Sequence, residues 1–422
     1  MTEEKRNPAV SADGAVLADG DGTAGELLIV STLKARVGGS GRLVLTRKFV
    51  EGMNAYAAYW PGPVAVLVST TDERESNLDP VEVDDATAQF RVEVLPDSVY
   101  EQAQRLSRAA LVLASVVSKD ICLAGLCRTA GVPVVCVSEH SLRTRKQMVE
   151  AATSNPLLRI RRKLWESRTE RRLCKLAAQA VGIQCNGTPT FEAYARLNPR
   201  PLLFFDSRVT SDVVASQEEI RNRSEALLSG APLRLAFSGR LIAMKGVDHL
   251  PVVAEELRRL GVPFMLDICG GGMLEQPIRH RIENAGMGDC VRLRGVLDFH
   301  TELVPFIKNS VDLFVCCHVQ GDPSCTYLET MACGTPIAGY ANEAFRGILK
   351  ESGVGWATAM NKPRQLARLI AVLHRDRAAL VRAAFEAREF AIQHTFENTF
   401  RRRVEHMLEC CRAWRAGTGA AA

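Results

Sequence analysis

Short apolar runs recur through this chain, each closed by glycine or a polar residue and followed by a longer segment of helical character. Leu27-Leu28-Ile29-Val30 is the first; comparable runs follow at 65–68, 91–95, 134–137, 180–184 and 202–205. Such runs lack polar alternation, so both faces are covered, the environment of a parallel strand flanked by helices. Strands linked in this way form βαβ units, and the expected fold class is α/β with doubly wound parallel sheets.

The pattern breaks over a polar, charged stretch at 210–230 and restarts at Leu233. A second series follows at 233–237, 264–269, 291–293, 313–317, 336–339 and 355–358. One intervening helix is expected over 247–260, ended by Gly261 and Pro263, and another over 42–58 after the glycines of the first domain. The expected organisation is a disordered tail 1–24, a first domain 25–210, a linker 211–231 and a second domain 232–390. A helix at 391–416 is expected to pack back toward the first domain. Two sheets of this kind face a cleft at the carboxyl ends of their strands, where ligands of open α/β sheets bind.

Composition narrows the function. A formal charge of +5 over 422 residues, with Lys and Arg spread along most of the chain, does not call for nucleic acid. No apolar run approaches the roughly 18 residues that cross a bilayer, and the first 24 residues carry no hydrophobic segment. A cytoplasmic protein is expected. The 13 cysteines show no matched pair of C-x2-C spacings, which favours buried free thiols over metal or disulfides.

Chemistry concentrates between Phe237 and Gly339. Ser238-Gly239-Arg240 ends one run, with Lys245-Gly246 just before a helix; guanidinium, ammonium and helix N-terminus suit a diphosphate. Solvated loop charges are the plainer reading of Arg240 and Lys245. Gly270-Gly271-Gly272 ends a second run and leaves the backbone bare for a ligand to approach. Glu329 lies in the helical run Thr326-Tyr327-Leu328-Glu329-Thr330-Met331-Ala332, where a carboxylate facing the cleft can accept two ribose hydroxyls.

These pieces, with Lys245-Gly246-Val247-Asp248 and Glu329-Thr330-Met331-Ala332-Cys333-Gly334-Thr335-Pro336, resemble the donor-binding half of the group 1 retaining glycosyltransferases. The resemblance extends over about residues 26–400. It implies two Rossmann-like domains in the GT-B arrangement, a nucleotide-sugar donor as substrate, and neither cofactor nor metal. It gives Arg240 and Lys245 the donor diphosphate and Glu329 the ribose, with Gly239, Gly271, Ser324, Cys325 and Thr326 around the donor. The loop holding Gly295 and Val296 would meet the base through its backbone. In the first domain, Gly38-Gly39-Ser40-Gly41 matches the family's glycine-rich loop, so Gly39 and Ser40 are donor-side candidates. Pro133 to His140 resembles the strand leading to an active-site histidine, which makes His140 the contact to the transferred sugar, with Glu139 as an alternative. Asn186-Gly187 is a further edge turn.

One departure stands out. The family's first glutamate falls eight positions before Glu329, where this chain has Gly321. Gln320 and Asp322 flank it, and Asp322 is the favoured replacement, by resemblance to a bacterial surface-polysaccharide subgroup.

Between Arg143 and Lys175, 11 basic residues face three acidic ones, with Leu157, Ile160, Leu164 and Trp165 interleaved. Such a segment suits an anionic membrane surface, on the inner face of the cytoplasmic membrane, and a lipid-linked acceptor. A solvated helix face is the alternative. The activity read from all this is transfer of a sugar to a glycan or lipid-linked acceptor in exopolysaccharide or envelope synthesis. A catalytically inactive nucleotide-sugar binder supporting a partner enzyme, or a nucleotide-sugar epimerase on the same fold, are the competing readings.

Overall fold

The computed structural model describes residues 25–39, 41–71, 80–84, 88–321 and 323–419; the expected tail 1–24 lies outside them. The first domain holds β1 (Leu27–Val37), β2 (Leu43–Thr46), β3 (Val64–Thr70), β4 (Pro80–Glu82), β5 (Arg91–Val94), β6 (Leu111–Ser115), β7 (Val134–Ser138), β8 (Gly182–Asn186) and β9 (Pro201–Phe204). Its parallel strands run in the order β5-β3-β1-β6-β7-β8-β9.

Two features differ from expectation. The helix expected from residue 42 starts only at Arg47, because Leu43-Val44-Leu45 folds back on β1 as an antiparallel hairpin, Arg36 opposite Val44. Thr46 then caps the helix, its Oγ1 accepting from the Phe49 N–H at 3.3 Å. The other is β6, a central strand between β1 and β7. It follows helix Val99–Leu106 with no glycine or proline between them, so periodicity alone does not separate the two.

The second domain is a parallel sheet of β10 (Leu233–Ser238), β11 (Phe264–Cys269), β12 (Val291–Gly295), β13 (Leu313–Cys316), β14 (Ile337–Tyr340) and β15 (Trp356–Thr358). Its order is β12-β11-β10-β13-β14-β15, so successive connections leave β10 in opposite directions and open a crevice between the ends of β10 and β13. Phe237 and Phe314, both fully buried, stack at 6.0 Å beneath that crevice. Residues 217–228 of the expected linker form a helix, opened by a capping box in which Ser216 Oγ and the Glu219 carboxylate each accept the other's backbone N–H.

The two domains are tied at several points. Helix Phe396–Gly419 packs on helix Arg47–Tyr59, where Phe400 meets Tyr56 edge-on at 4.8 Å. Its Arg403 donates to Gln184 Oε1 at 2.8 Å and lies 4.1 Å over the Phe204 ring. On the cleft side, helix Thr188–Tyr194 lies against helix Glu343–Ser352 so closely that a Cβ on Gly347 would stand 1.5 Å from Thr188 Oγ1. Gly347→Ala therefore forces the two helices apart, at a cost of about 1–3 kcal/mol. Urea denaturation measures it; an unchanged midpoint would contradict the close approach.

Candidate functional site

The crevice of the second sheet is built by a crossing of two loops. The chain leaving β10 passes over the end of β13 at Gly246, whose φ is +59° and whose hypothetical Cβ would be 2.0 Å from the Cys317 carbonyl oxygen. Only glycine fits there. The crossing buries Lys245, and its ammonium donates to Ser324 Oγ at 3.3 Å, while Ser324 Oγ donates to Thr326 Oγ1 at 3.2 Å. Val319 N donates to the Met244 carbonyl at 3.1 Å, fixing the register of the two loops. Arg240 is exposed on the same β10 loop. A buried ammonium and two hydroxyls thus meet at the strand reversal, with the exposed Arg240 on the loop that leads to them.

Two of the three consecutive glycines have a packing role of their own. A Cβ on Gly270 would be 1.9 Å from the Gly239 carbonyl oxygen, and one on Gly272 would be 2.6 Å from that of Leu241. Those two glycines let the β11 end pack under the β10 loop. Gly271 alone points elsewhere, toward Val296 at 3.1 Å, and Val296 is 69% exposed on the loop after β12.

Glu329 is buried on helix Thr326–Ala332 and is already engaged: its Oε1 accepts from Arg208 Nε at 3.0 Å. The Arg208 guanidinium also lies 4.2 Å from the centre of the Phe299 ring. Burial disfavours that cation, but Glu329 outweighs it and leaves Arg208 more firmly protonated than usual.

The first domain contributes a polar chain along its strand ends. Glu139 Oε2 accepts from Asn186 Nδ2 at 2.7 Å, and Asn186 Oδ1 accepts from the Asp206 N–H at 3.1 Å. Asp206 pairs with Lys48 at 2.5 Å, and Lys48 reaches across to Cys325 Sγ at 3.2 Å. Burial pushes the Cys325 thiol up to about 12, with the Asp206 carboxylate adding to the effect. Asn186, Gly187, Asp206, Pro323, Ser324 and Tyr327 are among the residues lining a small hollow between the domains.

His140 is half-exposed just before helix Leu142–Ala152, and its carbonyl accepts from Arg145 Nη1 at 2.9 Å. That helix spans the cleft. Thr144 Oγ1 donates to the Gly321 carbonyl and Gly321 N to Gln147 Oε1, each at 3.1 Å, and Arg143 pairs with Glu343 at 3.1 Å. Gly38 and Gly41 are hydrogen-bonded within the β1–β2 turn, and around Gly39 there is open space. Ser40 and Asp322 lie outside the described residues.

The structure thus gathers Lys245, Ser324, Cys325, Thr326 and Glu329 in the crevice of the second domain. Sequence reasoning did not select Lys48, Asp206, Arg208 or Glu343. Asp206 carried the same signal that singled out Glu139, a carboxylate just past an apolar run; Lys48 and Arg208 carried none, since each acquires its role from a partner more than 100 positions away.

Residues 218–390 match the family model described as Glycosyl transferases group 1. The chain is 29% identical over 174 residues to a 2-deoxystreptamine N-acetyl-D-glucosaminyltransferase of Streptomyces fradiae, covering 41% of this chain and 37% of that one. It is 26% identical over 188 residues to a 2-deoxystreptamine glucosyltransferase of Streptomyces kanamyceticus, covering 43% and 47%. The chain thus spans less than half the length of these curated relatives. Among solved structures, Anabaena Alr3699/HepE in complex with UDP superposes with a TM-score of 0.64 at 15% identity, covering 91% of this chain and 99% of that one. The fold is that of the GT-B glycosyltransferases, two parallel-sheet α/β domains across a cleft.

All 13 cysteines are free, and Cys122 alone is exposed. With the Cys325 thiol pushed to about 12, it is almost wholly protonated at pH 8. Labelling with an aromatic disulfide at pH 8 should show one fast thiol, abolished in Cys122→Ser. Fast modification of Cys325 would mean that the interdomain contact opens readily.

Proposed function

We propose that the protein is a retaining glycosyltransferase that moves a sugar from a nucleotide-sugar donor to a glycan or lipid-linked acceptor in the synthesis of envelope or surface polysaccharide. The observation that carries this reading is the buried Lys245 ammonium on Ser324 at the strand reversal, with Arg240 exposed on the same loop and Glu329 on the helix that follows. Two cations there fit the paired phosphates of a donor, and Glu329 fits its ribose hydroxyls. Supporting it are the match of residues 218–390 to the glycosyl transferase model and two curated relatives named as sugar transferases.

In the proposed reaction the bond from the sugar C1 to the diphosphate oxygen breaks while the acceptor hydroxyl oxygen bonds to C1 from the same face. The acceptor's proton passes to the departing phosphate oxygen. Negative charge grows on the diphosphate, and Arg240 and Lys245 stabilise it as it forms. His140, at the head of the helix that reaches Gly321, meets the transferred sugar from the first domain. The ion pair between Arg208 and Glu329 gives way, at least in part, when ribose arrives.

The lipid-linked acceptor rests on helix Pro156–Gln179. Leu157, Ile160, Leu164 and Trp165 are exposed at the spacing i, i+3, i+7, i+8, next to the exposed Arg161, Arg168, Arg171 and Arg172. Each basic group adds about 1 kcal/mol on an anionic leaflet. No helix among the described residues is long and apolar enough to cross a membrane; the association in this reading is a peripheral one through that helix face.

A thermal-shift panel of UDP-, GDP- and ADP-sugars should identify a donor by a raised unfolding midpoint. With that donor, Lys245→Ala should lower turnover about a hundredfold, equivalent to roughly 3 kcal/mol. Wild-type turnover in the variant would refute the assignment, and donor binding with neither transfer nor slow hydrolysis would favour an inactive binder. Co-sedimentation with phosphatidylglycerol vesicles should be lost in Leu164→Glu/Trp165→Glu; binding insensitive to that change would remove the membrane face.

A further inference from the structure

The φ of Gly321 lies outside the left-handed region, so its backbone does not require glycine. What requires it is space. A Cβ at position 321 would stand 2.9 Å from Glu343 Cβ and 3.2 Å from Glu343 Oε2. The carboxylate of Glu343, the first residue of helix Glu343–Ser352, therefore occupies the volume that a side chain at position 321 would take.

That carboxylate is half satisfied. Its Oε1 accepts from Arg143 at 3.1 Å, whereas Oε2 is buried with no hydrogen-bond partner. Gln320 Oε1 and His318 Nε2 are in the same condition, on side chains that are 3% and 0% exposed. Three orphaned polar atoms on one short segment and the helix facing it are costly, since buried polar groups are nearly always paired. The segment and the helix are held together: Asn342 Nδ2 donates to the His318 carbonyl at 3.3 Å and to Tyr327 Oη at 3.0 Å, and Tyr327 Oη lies 3.4 Å from His318 Nδ1. Burial, reinforced by the nearby Lys245 ammonium, keeps the His318 ring neutral, so Nε2 is free to donate or accept according to tautomer. Across from this wall stands the helix headed by His140.

We propose that Glu343, with Gln320 and His318 beside it, binds the hydroxyls of the donor's sugar ring, Glu343 supplying from a neighbouring helix the carboxylate that position 321 lacks. The inference rests on the donor-binding reading above and assigns the sugar subsite within it. Sugar hydroxyls donate to Glu343 Oε2 and Gln320 Oε1, and one more pairs with His318 Nε2. Arg143 holds the carboxylate in place from the first domain.

Calorimetric titration with UDP and with UDP-glucose, repeated with GDP and GDP-mannose if uridine nucleotides do not bind, separates the two claims. Binding of no nucleoside diphosphate by the wild type would overturn the donor reading, and this inference with it. Given binding, Glu343→Ala and Gln320→Ala should leave the affinity for the bare diphosphate within about twofold. They should weaken the sugar nucleotide about tenfold or more. Glu343→Gln keeps the shape and should fall between. Equal losses for both ligands, or none for either, would overturn the proposal. Arg143→Ala guards against a purely structural role: it removes the ion pair but keeps the carboxylate, so it should cost the sugar nucleotide clearly less than Glu343→Ala, whereas an equal loss would place the effect in the ion pair and the sugar assignment fails. Matching unfolding midpoints establish that the variants fold.

Discussion

The candidate site depends on one close passage of backbone. Where the second sheet reverses its strand order, the loop after β10 crosses the end of β13 with no room for a side chain at Gly246. The buried cation of the crevice takes its position from that crossing. It buries Lys245, brings its ammonium to Ser324, and sets both beside the helix that carries Glu329. A lysine on an ordinary surface loop would be hydrated and mobile. Here the stem is enclosed and the head has a fixed direction, which is what electrostatic stabilisation of a developing charge requires.

The first domain completes the site through contacts of a different kind. Lys48 and Asp206 meet Cys325, helix Leu142–Ala152 spans to Gly321, and helix Thr188–Tyr194 lies against Gly347. Each of these touches the stretch 321–325 or the helix that begins at Glu343. The two domains thus converge on a few residues of the second, and a ligand bound there would sense both. The ion pair between Arg208 and Glu329 adds a contact from the segment joining the domains, so a ligand that engaged Glu329 would have to compete with that segment.

Much of this was legible without coordinates. Apolar runs marked all six strands of the second domain within a residue or two, because both faces of a parallel strand are covered and the signal is strong. The motif around Ser238, Lys245 and Glu329 was legible as well, since strand ends of an open α/β sheet fall at one edge whatever the details. Other elements were less so. Strand β6 was concealed by the helix before it, and the hairpin of β1 and β2 was mistaken for the start of a helix. The triple glycine suggested an approach by ligand, whereas two of its members accommodate a neighbouring loop.

What the sequence determined by itself was the local chemistry: which segments become strands, which residue types lie at their ends, and hence a fold with a cleft lined by cations and a carboxylate. What only the tertiary structure decided was which distant groups meet. Glu343 fills the space left by Gly321, Arg208 engages Glu329, and Lys48 reaches Cys325. The reason is physical. Strand formation and strand-end placement follow from short-range periodicity and burial, which a linear chain displays. Pairing across a cleft depends on how two separately folded sheets are rotated and seated, and that is set by contacts, such as Thr188 on Gly347, whose partners lie far apart along the chain.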